Sequence, residues 1–175
     1  MEGQRTLIDM KIIGFSLLSL MISISINAQE NNLGSDNPLE PFDFLIGGEW
    51  STATTVQTFE WGVGQKSVHS KLYFIADKDT SLAGEISWFW HPGLQSIKGY
   101  GHLLSNQISF FDYSTEFTNR STMNNSIVGY NINSMSVPII ESIEFLVDDQ
   151  YRWTMYDRVV DELKPQMSII FNRKN

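Results

Sequence analysis

The sequence predicts an all-β fold, an antiparallel up-and-down β-barrel of about 10 strands with a short N-terminal helical turn, behind a cleaved export signal. Three observations predict it. From Glu49 onward, strand-type segments recur about every 10 residues, separated by Gly, Pro, Asn and Asp. No long stretch carries a helical apolar period. About 10 short strands joined by tight turns favour closure, which removes the exposed sheet edges. A β-sandwich is the other architecture that fits. The 175 residues, 42% hydrophobic and 13% aromatic, are enough for one domain with a real core.

The N-terminus reads as a targeting segment. Ile12 to Ile26 are almost all apolar or Ser, with Lys11 just before and Asn27-Ala28-Gln29 just after. A positive residue, an apolar run of about 15 and a small exit residue form the secretory pattern. The run is short for a membrane span, which needs about 20 residues. Cleavage is expected after Ala28, giving a signal peptide over 1–28, a flexible leader over 29–40 and a barrel domain over 41–175. An uncleaved N-terminal anchor is the alternative. Met10 fits better than Met1 as the start, because Met10-Lys11 gives an undiluted positive end. Removing 1–28 takes away two bases (Arg5, Lys11) and two acids (Glu2, Asp9), so the formal charge of −8 stays with the mature chain.

The elements follow in order. Pro38 to Leu45 suits one short helical turn, limited by Pro41 and ended by Gly47-Gly48. Glu49–Thr55 and Val56–Trp61 are the first strands, and Gly62 and Gly64 turn the chain. In Ser67–Ile75, Val68, Ser70, Leu72 and Phe74 share one face, with His69, Lys71 and Tyr73 on the other, wet one. Asp77-Lys78-Asp79 makes a turn. Gly84–Trp90 places Ile86, Trp88 and Trp90 together, and His91-Pro92-Gly93 breaks it. Ser96–Leu104 and Gln107–Tyr113 flank a turn at Ser105-Asn106, and Ile108 and Phe110 share a face. Asn119 to Asn125 is polar and loop-like. Ser126–Ile132, Pro138–Val147, Tyr151–Tyr156 and Gln166–Arg173 complete the count, with Asp148-Asp149 as a hairpin turn. Tyr151, Trp153 and Met155 share a face.

The run Phe42-Asp43-Phe44-Leu45-Ile46-Gly47-Gly48-Glu49-Trp50 resembles the opening of calycin-type barrels, where Gly-x-Trp leads from a short helix into the first strand. Thr58-Phe59-Glu60-Trp61 with Gly62 to Lys66, Ser87-Trp88-Phe89-Trp90-His91-Pro92, and the closing Ile169-Ile170-Phe171-Asn172-Arg173 are similar to secreted bacterial lipocalin-like domains of unknown function. The resemblance spans about Pro41 to Arg173. It implies that Trp50 packs across the closed base of the barrel, and it transfers architecture rather than chemistry. Haem-binding barrels related to calycins take an axial His from late in the chain, whereas here no His follows His102.

Composition excludes several functions. With no cysteine there is no disulfide framework, thiolate metal site or cysteine nucleophile. The acidic balance argues against nucleic acid as a partner. His69, His91 and His102 match no short metal-binding spacing, so no metal or cofactor is expected. Among the carboxylate pairs, Asp77/Asp79, Glu141/Glu144, Asp148/Asp149 and Asp161/Glu162 read as solvated turns. The run from Asp77 to Ser81 lacks the Gly and terminal Glu of a calcium loop. Gly62-Val63-Gly64 precedes no helix and is no phosphate loop. Asn124-Asn125-Ser126 is formally a glycan acceptor.

What remains is aromatic. Trp61, Trp88, Trp90, Tyr100, His102, Phe110 and Trp153, spread over several strands, are the candidate ligand-binding residues, with no catalytic set. An interior lined by them suits a small apolar or aromatic ligand; the same rings could instead simply fill the barrel. One alternative function is a hydrolase or isomerase using Glu60, Glu85 or His102 at the barrel mouth. Another is a structural or interaction module of the cell envelope. The expected location is periplasmic or extracellular, with no membrane span after cleavage.

Overall fold

In the computed structural model, the described residues are 37–76, 79–104, 107–133, 135–147, 149–159 and 162–174. The expected export signal, its expected cleavage site and most of the expected leader lie outside them, as do Asp77, Lys78, Ser105, Asn106, Asp148 and Asp161. Ten strands form one closed antiparallel barrel in sequence order: β1 Glu49–Ser51, β2 Thr55–Trp61, β3 Ser67–Ala76, β4 Asp79–His91, β5 Ser96–Leu103, β6 Phe110–Asn119, β7 Thr122–Tyr130, β8 Ser136–Val147, β9 Gln150–Val159 and β10 Glu162–Lys174. β1 pairs with β10 to close the ring. The fold class expected from the sequence is the one observed.

The residue pattern explains the wall. Each strand alternates, and cross-strand register carries the inward phase around the ring: Trp61 faces Val68, Val68 faces Trp88, Trp88 faces Gly99, and Gly99 faces Tyr113. Gly99 leaves space for a large neighbour. A Cβ there would meet Ser87 O at 2.8 Å and Trp88 Cδ1 at 2.9 Å.

A 3-10 turn at Glu40–Phe44 seals one end of the barrel. Leu39, Phe42 and Leu45 are fully buried beneath the strands. Each such side chain contributes about 1.5–3 kcal/mol of apolar burial. Phe42 packs on Trp88 and Phe117 at 5.5 and 5.1 Å between ring centroids. Gly47 and Gly48 follow at φ +80° and +72°, where an L side chain is strained, and turn the chain into β1. Trp50 is buried at this base. Its indole N–H donates to Leu45 O at 2.8 Å, and the Arg173 guanidinium lies 4.3 Å over its ring.

Three expectations about elements are corrected. Asn119 to Asn125 is not a loop but the tip of a hairpin, with β7 beginning at Thr122, because Asn125 is buried and hydrogen-bonded. The strand expected over Gln107–Tyr113 begins at Phe110 and continues to Asn119. Its inward residues are therefore Phe111, Tyr113 and Thr115, and Phe110 points outward. The first expected strand breaks after Ser51, where Thr52 Oγ1 accepts from the backbone N–H of Thr54 and Thr55 and makes a turn.

Candidate functional site

The lower half of the interior is packed; the middle is polar. On β8, alternation places Ile139, Glu141, Ile143 and Phe145 on the inward face, opposite Ile127, Asn125 and Met123 of β7. Glu141 Oε1 accepts from Asn125 Nδ2 at 2.8 Å, and Oε2 accepts from the indole N–H of Trp153 at 2.7 Å. Asn125 Oδ1 in turn accepts from Thr115 Oγ1 at 2.6 Å. Across the lumen, the Tyr151 hydroxyl donates to Gln57 Oε1 at 2.7 Å, and Gln57 Nε2 donates to Ser70 Oγ at 2.9 Å. These two hydrogen-bonded groups form a polar belt inside an otherwise apolar barrel.

The belt has a distinctive electrostatic character. Burial pushes the Glu141 carboxyl above its ordinary range, against the pull of the hydrogen bonds from Trp153 and Asn125. Burial also raises the Tyr113 and Tyr151 hydroxyls well above the usual tyrosine range, and the Glu141 charge raises both further. Both rings therefore sit within the field of this carboxylate. The two ion pairs found among the described residues, Arg152–Glu144 and Lys164–Glu162, join exposed groups elsewhere. Trp88, 1% exposed, holds its indole N–H with no hydrogen-bond partner among the described residues.

Above the belt the inward face is apolar and retains accessible surface. Leu72, Ile86, Ile139, Met155 and Ile169 are half-buried although they point into the barrel. At the end away from the 3-10 turn, Phe74, Val137 and Met167 occupy inward positions yet are 49%, 44% and 43% exposed. The connections there carry exposed Leu104, Ile132 and Met135. Glu141 and Trp153 also keep part of their surface accessible. Apolar inward side chains with accessible surface thus lie between the open end and a few fixed polar groups, the general composition of a small-molecule site.

The seven residues singled out by sequence divide between two faces. Trp61, Trp88, Trp90 and Trp153 face inward. Trp88 belongs to the packed core, stacked with Phe59 at 6.3 Å. Trp90 lies near the sealed end and lines an outer cavity of about 380 Å³ with Leu39, Lys66 and Pro92. Only Trp153 reaches the polar belt. Tyr100, His102 and Phe110 correct the interior expectation, because their strand phase turns them outward. They form a run of rings on the outer wall: Phe89–Tyr100 at 6.5 Å, Tyr100–His102 at 6.4 Å, His102–Phe110 at 5.2 Å and Phe110–Tyr130 at 6.1 Å. Glu60 and Glu85 are also exposed on the outer wall, beside a dimple of about 160 Å³ shared with His69 and Lys71, rather than at the mouth.

Sequence reasoning missed Glu141, Asn125, Gln57 and Tyr151 as a polar set. The signal for Glu141 was present: it alternates with Ile139, Ile143 and Phe145 in a segment already read as a strand. No group of three or more His, Asp or Glu close enough to hold a metal lies among the described residues. No family model matches the chain, and no curated protein matches it either.

Proposed function

We propose that this protein is an exported, lipocalin-like binding barrel that holds one small, mostly apolar molecule in the upper half of its interior. The observation that carries the reading is the position of Glu141. It is a carboxylate set deep in the wall, fixed by Asn125 and Trp153, at the foot of half-buried apolar side chains that open toward Phe74, Val137 and Met167. Burying a carboxylate inside a barrel costs several kcal/mol on general grounds. Apolar packing alone offers no reason to place one there. The export signal expected from the N-terminal sequence supports a periplasmic or extracellular setting for such a carrier.

The test is saturable binding of the neutral apolar dye Nile red by the purified mature chain, with native mass spectrometry to read stoichiometry. One site per chain is expected. The site should weaken in Ile139→Trp and Met155→Trp, which fill the space above the belt, while Ile132→Ser at the rim leaves stoichiometry unchanged. Absence of saturable binding to the native protein overturns the reading.

A second reading rests on the outer run Phe89, Tyr100, His102, Phe110 and Tyr130. Rings in a row on an exposed wall suit an interaction module of the cell envelope. Tyr100→Ser combined with Phe110→Ser abolishes co-purification with envelope components in that case, and leaves Nile red binding intact.

A further inference from the structure

We infer that the interior selects an organic cation, an ammonium group carried on a compact apolar or aromatic body. The inference rests on the interior-binding reading and adds the charge of the ligand.

Glu141 keeps unused acceptor capacity. Each of its oxygens accepts one hydrogen bond, from Asn125 and from Trp153. An ionised carboxylate has roughly four acceptor positions, so about two remain. No Lys, Arg or His is paired with it among the described residues. Its neighbours on each side are all uncharged: Asn125 on β7, Met155 and Trp153 on β9, and Thr115 one strand further on β6. The ionisable groups within its field are Tyr113 on β6 and Tyr151 on β9, both held protonated at neutral pH by burial and by the carboxylate itself. At the rim, Asp157 and Lys164 lie opposite one another in register. At the base, Arg173 is committed to Trp50 and Phe44 O. The middle of the lumen thus offers one carboxyl group and, among the described residues, no basic one to pair with it.

Aromatic side chains lie around this carboxyl. The indole of Trp153 is hydrogen-bonded to the carboxylate through its N–H. The rings of Tyr113 and Tyr151 stand within its electrostatic reach, and Trp88 packs edge-on to Tyr113 at 5.7 Å. Aromatic faces are electronegative and attract a desolvated cation. A carboxyl bonded to Trp153, felt by Tyr113 and Tyr151 and lying below apolar inward side chains, complements an ammonium and its hydrocarbon body together. The same site is hostile to an anion. A fatty-acid carboxylate entering from the mouth would face Glu141 with no base to neutralise either charge, so one of the two would have to take up a proton.

The experiment uses three probes of matched size on the mature protein at pH 8: 2-phenylethylammonium, 2-phenylethanol and 3-phenylpropionate, each titrated by quenching of tryptophan fluorescence and by calorimetry. The expected order is ammonium at least about tenfold tighter than the alcohol, which is about 1.4 kcal/mol, with no measurable binding of the carboxylate. In Glu141→Gln the ammonium falls to within about twofold of the alcohol measured on the same variant. Circular dichroism and a cooperative urea transition show that this variant is folded. Ammonium affinity also falls as the pH is lowered through the raised Glu141 pKa, because the proton and the ligand compete, whereas alcohol affinity does not.

Equal affinity for ammonium and alcohol, with Nile red still bound, overturns the cation inference and leaves the binding barrel standing. Tighter binding of the carboxylate overturns it as well. Failure of every probe and of Nile red overturns both.

Discussion

Trp153 donates its indole N–H to Glu141 Oε2 across 2.7 Å, from β9 to its neighbour β8, and so holds a carboxylate inside the barrel that has no cation partner among the described residues. The two residues are not directly opposite, since Trp153 faces Ile143 and Glu141 faces Met155. The bond is a diagonal one that only a long side chain can make. Trp153→Phe keeps most of the apolar contact and removes the donor. Leaving a buried carboxylate oxygen unpaired costs about 1–3 kcal/mol. Urea unfolding of the variant is expected to show that loss, with the slope unchanged. A difference below about 0.5 kcal/mol would mean that water replaces the indole without penalty.

A pH dependence follows from Glu141. Its carboxyl takes up a proton at higher pH in the folded chain than in the unfolded one, because burial raises its pKa. The stability tied to this group is therefore complete below the ordinary carboxylate range, about pH 4. It is lost as pH rises through the folded-state pKa. Glu141→Gln removes this slope. The Tm of the variant relative to the native protein should rise between about pH 4 and neutrality, whatever the offset at acid pH. Parallel curves would show that the carboxyl titrates as it does in water.

Tyr113 and Tyr151 extend this to alkali. Both hydroxyls are raised well above the usual tyrosine value by burial and then by Glu141. Their contribution is intact below about pH 10 and is lost above it. Ultraviolet titration of tyrosinate is expected to show two groups that ionise only as the barrel unfolds. In Glu141→Gln these two ionise at lower pH than in the native protein, because a repelling charge has gone.

Gly99 and Gly47 separate two reasons for glycine. At Gly99 an added methyl meets Ser87 O at 2.8 Å and Trp88 Cδ1 at 2.9 Å, so backbone must shift. Gly99→Ala is expected to cost about 1–3 kcal/mol. At Gly47 nothing lies within 4 Å, but φ is +80°. Gly47→Ala should cost about 1 kcal/mol from backbone strain alone. Gly47→Asn should recover part of that loss, since Asn tolerates this region. Chemical denaturation of the three variants measures the contrast.

How much of this was legible follows from where alternation is unbroken. From Tyr151 to Met155 the apolar period is clean, and from Ile86 to Trp90 only Phe89 interrupts it, so those faces were read as they stand. At Phe110-Phe111 two adjacent rings satisfy either phase, and only the pairing of Phe111 with Gly101 and Gly129 fixes which one points in. Asn125 reads as loop material because its polarity is local, whereas its place inside is set by Thr115 and Glu141 from other strands. Glu141 was grouped with Glu144 as a surface pair; they lie three apart on a strand and so face opposite ways. Composition can mark a residue as polar, but a buried partner sixteen residues away is a fact of register.

The clasp at the base of the barrel has a consequence for the order in which the chain can fold. β1 is three residues long, and its outer edge is paired only by Asn172, Arg173 and Lys174 of β10. Arg173 also reaches 129 positions back to donate to Phe44 O. Without those residues of β10, Trp50 lacks its cover and the ring lacks its seam, so the barrel closes only once β1 and β10 have met across most of the described chain.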